Sequence, residues 1–298
     1  MTGARVSPDG SWLRGAGLYP ALSVVGFFLL IPLGLILVYS FLGKGDYGGV
    51  VWSFSTAAYE KILFVKKLDG SKMLNWAFFV VLFRSVVLAL ATTILCLLIA
   101  FPAAFFISRQ RALVKGVLLL LIMFPFWSNL LVRTSSWIIL LRDHGLVNKV
   151  LMWLGLTDTP LTLLYTDGAV LIGLVYVYIP FMILPVFTSV ERLDKRLIEA
   201  AFDLYASRMQ TLRRVILPLT MPGMVAGSIL VFIPSLGAFI TPDLLGGGRK
   251  LMLGSLIQLQ FTTARDWPHG AAISIILLLL VVATLTLAAR RGTSAKAR

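Results

Sequence analysis

Residues 191–218 read ERLDKRLIEAAFDLYASRMQTLRRVILP, with long apolar runs on either side. These 28 residues hold six basic and four acidic side chains, in a chain that is 58% hydrophobic and only 13% charged. So many ionised groups are too costly to place in hydrocarbon, so the stretch lies outside the membrane and separates two spans.

Outward from this segment, the apolar residues come in runs longer than soluble helices need. A bilayer core of roughly 30 Å requires about 20 apolar residues per helical span. Six runs meet that length: Leu18 to Leu42, Ala77 to Ile107, Gly116 to Leu141, Ala169 to Val190, Leu217 to about Ile240, and Gly270 to Ala289. The expected class is an all-α integral membrane protein with six transmembrane helices and one long loop between spans four and five. Prolines 32, 102, 125, 180, 185, 218, 222 and 234 fall in or beside the spans and predict bent helices.

Lys and Arg collect in cytoplasmic segments, so their distribution orients the chain. With the N-terminus inside, fifteen basic residues fall on the cytoplasmic side, including Arg109, Arg111, Lys115 and the six of the long loop, against ten outside. The net charge of +14 follows this flanking pattern, and no basic face with interleaved aromatics points to nucleic acid. Residues 1–17 read as a loose cytoplasmic tail, 18–290 as one membrane domain and 291–298 as a second tail. The first run is longer than a signal-peptide core and reads as a retained span. Cys96 stands alone, which excludes an intrachain disulfide.

The loops carry weaker signals. Residues 43–76 hold Tyr47, Trp52, Phe54, Tyr59 and Phe64 and suit an amphipathic segment on the outer surface, with Trp52 and Trp76 as boundary anchors. Leu146, Val150, Trp153 and Leu154 recur at helical spacing before Gly155, predicting a short outer helix. Gly246, Gly247 and Gly248 precede Arg249 and Lys250 but lack the G-x-x-x-x-G-K-[ST] order of a phosphate cradle. His144 and His269 lie in separate loops without a metal or catalytic motif, so neither an enzyme nor a metal site is expected.

Within the long loop, Leu193, Leu197, Ala201 and Leu204 line one face of a helix, with Glu199 and Asp203 off that stripe. Ser207 and Gln210 form an S-x-x-Q capping box that starts a second helix, so two short helices meet near Tyr205 and Ala206.

This loop resembles that of the permease subunits of bacterial binding-protein-dependent ABC importers. Their motif is Glu-Ala-Ala, three residues, Gly, nine residues, Ile, one residue and Leu-Pro, about a hundred residues before the C-terminus. Here Glu199-Ala200-Ala201 stands 99 residues from the end and Leu217-Pro218 closes the pattern. Tyr205 replaces the Gly and Val215 the Ile. A side chain held at positive φ costs about 1 kcal/mol or more, so either the turn is rebuilt or coupling is altered. The segments FPFWSNLLVRTSSW, WLGLTDTPL, VYIPFMILPVFTSVERLDKRLIEAAFDL, PLTMPGMVAGSILVFIPSLGAFITPDLLGGG and RDWPHGAA are similar to the spermidine/putrescine branch, first permease type, over roughly residues 18 to 290.

The resemblance implies that the helix pair docks on a cytosolic ATPase, with Glu199 pairing a basic residue there and Ala200 and Ala201 allowing close approach; Asp203, Tyr205 and Ala206 complete the expected ATPase-coupling residues. It further implies a second, different permease subunit, an ATPase dimer that binds ATP and Mg, and an extracytoplasmic substrate-binding protein, all at the bacterial inner membrane. This chain itself would hold no cofactor.

A polyamine is a flexible chain of methylenes between ammonium groups and suits a path of aromatic faces and sparse carboxylates. Candidate path residues are Trp127, Asn129, Trp137, Tyr176, Tyr178, Phe239 and Asp243, with Asp158 at the outer mouth. Arg133, an intramembrane cation, either pairs with backbone carbonyls or a partner's acid, or faces the path and favours an anionic cargo such as a phosphonate. Ferric ion is a further cargo. A stand-alone carrier or channel would need inverted repeats or more intramembrane charges than Arg84 and Arg133.

Overall fold

The computed structural model describes residues 18–66 and 71–296; the tail expected over 1–17 lies outside the described residues, as do residues 67–70 and the last two positions. The helices α1 (Leu18–Ser40), α2 (Ala57–Leu63), α3 (Trp76–Ser108), α4 (Ala112–Met123), α5 (Leu130–Leu141), α6 (Leu146–Trp153) and α7 (Asp167–Glu191) make the first part. Then follow α8 (Lys195–Asp203), α9 (Arg208–Thr211), α10 (Leu217–Leu236), α11 (Ile240–Gly246), α12 (Leu253–Thr262) and α13 (Trp267–Lys296). Short strands β1 (Leu42–Lys44), β2 (Val50–Phe54), β3 (Phe64–Lys66) and β4 (Lys72–Leu74) form two antiparallel hairpins, β1–β2 and β3–β4, in the loop between α1 and α3.

Helix starts follow from capping side chains that take up otherwise orphaned amides. Asn75 accepts from the Phe78 amide ahead of α3, and Thr166 accepts from that of Ala169 ahead of α7. Asp194 does the same for α8 through the Arg196 amide.

Helices α3, α7 and α10 pack against one another as the centre of the bundle. Ala89, Cys96, Ala100 and Ala104 put a stripe of small buried residues on α3, which lets Met182, Ile183, Val186 and Val190 of α7 approach closely. Gly223 and Gly227 do the same on α10. A Cβ at Gly227 would meet the Met182 sulfur at 2.7 Å, and one at Gly223 would run into Ser189 and the Pro185 carbonyl. Two further apolar clusters, one around Leu174 and Leu245 and one around Ile62, Leu253 and Ile273, tie the outer loops to the helix ends.

Among the described residues, five helices are long and apolar enough to cross a membrane, within Leu22–Ser40, Trp76–Ser108, Asp167–Glu191, Arg208–Leu236 and Trp267–Ala288. The run expected as one span over Gly116 to Leu141 is a bent pair, with Ala112–Trp127 and Leu130–Trp153 meeting at 92°, and makes a sixth span when the pair is taken together. The break has a local cause. Pro125 sits in a 3-10 turn over Phe124–Trp127, and Asn129 starts a new helix by accepting from the Leu131 amide at 2.8 Å. The fifth run likewise ends at Leu236 and resumes as the short α11, and α13 runs past Ala289 to Lys296. Helix α1 packs on α13, yet no residue of its apolar window is buried in the chain.

The loop of residues 43–76 holds hairpins and α2 where an amphipathic outer segment is expected. It is pinned to the chain's far end: Lys61 and Lys44 reach the Asp266 carboxylate at 2.8 and 3.7 Å. The amide of Gly49 donates to the Arg265 carbonyl. The predicted outer helix is present as α6, and Gly155 beyond it takes φ +68°. Asn148 on α6 is fully buried and uses its amide three times, donating to the Arg142 and Leu161 carbonyls and accepting from the Leu161 amide.

Candidate functional site

The loop of residues 191–218 is built from two short helices set by opposite end signals. Helix α8 stops at Leu204, and Tyr205 follows at φ +57°. The Tyr205 amide donates to the Phe202 carbonyl and the Ala206 amide to that of Ala201, the two bonds of a Schellman motif. Tyr205 is therefore the residue after the cap, where glycine is favoured, and the turn is not rebuilt around it. Ser207 and Gln210 then close a complete capping box, each side chain accepting from the other's backbone amide at 3.3 and 2.9 Å. A π-turn over Leu212–Ile216 leads directly into α10, so the loop is rigidly continuous with a span.

The expected apolar stripe divides in two. Ala201 is buried, and Leu193 is half-buried, but Leu197 and Leu204 are exposed. Phe202, Tyr205 and Met209 are exposed beside them, with Tyr205 97% bare. An aqueous loop that leaves this much apolar surface uncovered has the character of a contact face. Glu199, Ala200 and Asp203 are exposed on the same helix and Ala206 is half-buried in the turn. Glu199 also lines a cavity of about 470 Å³ beneath α8, together with Phe105, Arg109, Lys115 and Glu191. Lys115 and Glu191 form an ion pair of 2.6 Å there.

In the membrane, four of the candidate path residues converge. The rings of Trp137 and Tyr176 meet edge-on at 5.5 Å, and the Arg133 guanidinium lies 5.9 Å from the Tyr176 ring centre and 5.7 Å from that of Phe126. Phe126 in turn meets Phe181 at 5.2 Å, and Tyr178 packs on Phe181 while donating its hydroxyl to the Pro234 carbonyl at 3.1 Å. Arg133 is buried and donates from Nη1 to the Pro125 carbonyl at 2.9 Å, across the break in the third span. None of the ion pairs among the described residues includes it.

The remaining candidates sit elsewhere. Trp127 is 74% exposed, Asn129 is a helix cap, and Asp158 is an exposed loop residue. Phe239 and Asp243 belong to the start of α11, where the Asp243 amide donates to the Phe239 carbonyl. Sequence spacing does not single out Phe126 and Phe181, although FPFW beside an asparagine cap marks the turn that presents Phe126. The other intramembrane cation, Arg84, pairs with Asp167 at 3.2 Å, and Lys250 approaches the same carboxylate at 3.4 Å. That arrangement places the Gly246–Gly248 turn in a structural role, with Gly247 at φ +61° against the Tyr165 ring.

Residues 96–296 match the family described as binding-protein-dependent transport system inner membrane component. The chain is 42% identical over 263 residues to the spermidine/putrescine transport system permease protein PotB of Salmonella typhimurium (strain SL1344), covering 87% of this chain and 88% of that protein. It is 41% identical over 263 residues to the PotB of Escherichia coli (strain K12), covering 87% and 91%. Its fold is also that of a chain in the crystal structure of a bacterial alginate ABC transporter in complex with an alginate pentasaccharide-bound periplasmic protein, with TM-score 0.68 at 16% identity over 93% of this chain and 92% of that one. The family match covers more than half of the sequence: this chain belongs to the family of binding-protein-dependent transport system inner membrane components.

Proposed function

We propose that this chain is the first of two different permease subunits of an ATP-driven importer for polyamines, spermidine and putrescine, in the bacterial inner membrane with both termini cytoplasmic. The chain supplies part of the route across lipid and grips a separate ATPase dimer, which binds ATP and Mg, through Glu199 and the exposed face of α8 and Tyr205. An extracytoplasmic binding protein delivers the cargo. The observation that carries this reading is the cytoplasmic helix pair itself. A Schellman turn and a capping box hold Glu199, Leu204 and Tyr205 outward on a rigid extension of α10. ATP-driven closure of the ATPase would then carry this lever and tilt the proline-bent spans.

The polyamine assignment draws on the identity to the two named relatives and on the aromatic group around Tyr176. Arg133 donates Nη1 to a backbone carbonyl and lies beside two rings while its Nε has no hydrogen-bond partner among the described residues, and this supports a positioning role for the guanidinium over binding of an anionic cargo. The test is uptake into vesicles that hold this chain, its partner permease and the ATPase, with the binding protein outside. Labelled spermidine should accumulate only with internal ATP and be displaced by putrescine. Displacement by a phosphonate or by ferric ion, with no effect of putrescine, would reassign the cargo.

A further inference from the structure

The half-span Ala112–Trp127 is unusually free. Helix α4 has no buried residue, and it touches the central bundle through the half-buried Leu118, Leu119 and Ile122. Its polar anchors lie at its two ends. Near the cytoplasmic end, Lys115 pairs with Glu191 at 2.6 Å, and near the other end Arg133 Nη1 holds the Pro125 carbonyl at 2.9 Å. Glu191 is the last residue of α7, and α8 with Glu199 begins four positions later.

We propose that Lys115 and Glu191 are positioning residues that make this half-span follow the α8 loop, so that movement of the loop is passed to the break at Pro125 and to the aromatic group around Arg133. The proposal rests on the ATPase-coupled reading of the loop. The chemistry suits a link better than a staple. A half-exposed ion pair adds little to stability, whereas a short contact between a loosely packed helix and a rigid one fixes which neighbour the loose one tracks. Exposure of the pair, 21% for the Lys115 side chain and 41% for Glu191, keeps its worth small. Its loss should therefore lower uptake per ATP by about three- to fivefold and leave assembly untouched.

The experiment compares wild type, Lys115→Met, Glu191→Gln, Lys115→Arg and the exchanged pair Lys115→Glu with Glu191→Lys, each in the complete transporter in vesicles. The expected result is full stimulation of ATP hydrolysis by loaded binding protein in all five, with uptake per ATP reduced in the two single neutral variants and restored in the exchanged pair and in Lys115→Arg. An unchanged ratio in Lys115→Met, or an exchanged pair no better than the neutral variants, overturns the proposal. A second readout does not depend on transport: spin labels at Leu113 and Arg192 should give one narrow distance distribution in wild type and the exchanged pair, broadened in Lys115→Met. Narrow distances throughout also overturn it. If wild type shows the narrow distribution and Lys115→Met the broad one, while vesicles show no ATP-dependent uptake, the link stands and the importer reading fails.

Discussion

Lys61 donates to the Asp266 carboxylate at 2.8 Å across 205 positions of sequence, joining the loop between α1 and α3 to the residue that precedes the last span. Burial alone would push the Asp266 carboxyl up. The Lys61 hydrogen bond and charge, the His269 amide and the charge of Lys44 outweigh that and hold it below its ordinary 3.8. A carboxylate lowered on folding stabilises fully above its unfolded value and loses that contribution as pH falls through the folded one. Thermal unfolding in detergent should accordingly show an acid-side decline that starts near 3.8 and continues below it, and Asp266→Asn should lack that component. At neutral pH the same substitution should cost about 1.5–3 kcal/mol, the range for a hydrogen bond to a charged group.

The contact of Gly227 with Met182 leaves no room for a side chain. Gly227→Leu should force α10 away from α7 and destabilise the bundle by about 1–3 kcal/mol, the usual penalty of overpacking. Denaturant unfolding in detergent measures it, and Gly227→Ala should fall between the leucine variant and wild type. A leucine tolerated at no cost would mean that the helices cross elsewhere.

Tyr205 holds a left-handed backbone that glycine adopts without strain. Tyr205→Gly should strengthen the turn by about 1 kcal/mol, less the entropy that glycine loses on folding. Hydrogen exchange at the Ala206 amide, which donates to the Ala201 carbonyl, reads this locally: exchange should slow in the glycine variant.

Arg133 bridges the two halves of the broken span instead of facing an acid. Arg133→Gln should weaken the fold by about 1.5–3 kcal/mol through loss of a charged hydrogen bond. The balance between spermidine and phosphonate in competition uptake should stay as in wild type. A shift of that balance toward cations would put the guanidinium in the path.

The spans are legible because a run of twenty apolar residues fits little besides a helix in lipid, and the loop helices because Ser207 and Gln210 occupy fixed cap positions. The third span misleads for a specific reason: hydropathy counts Pro125 and Asn129 as two polar interruptions, whereas together they end one helix and start another. The outer hairpins are not legible, since strands of three to five residues carry too little alternation to register. Ion pairs such as Arg84 with Asp167 join residues far apart in the chain, and spacing rules see only neighbours along a helix. The aromatic group is half visible: Trp137 and Tyr176 stand out as intramembrane aromatics, while Phe126 and Phe181 look like ordinary apolar filling until the break brings Arg133 over Phe126.

The most direct test of the central claim is Glu199→Lys in the complete transporter, followed by ATP hydrolysis with and without loaded binding protein. Glu199 is exposed on α8, so the substitution should leave insertion and thermal stability as in wild type. Stimulation of hydrolysis should be lost, and uptake with it. Stimulation equal to wild type would contradict the assignment of this loop as the grip on the ATPase.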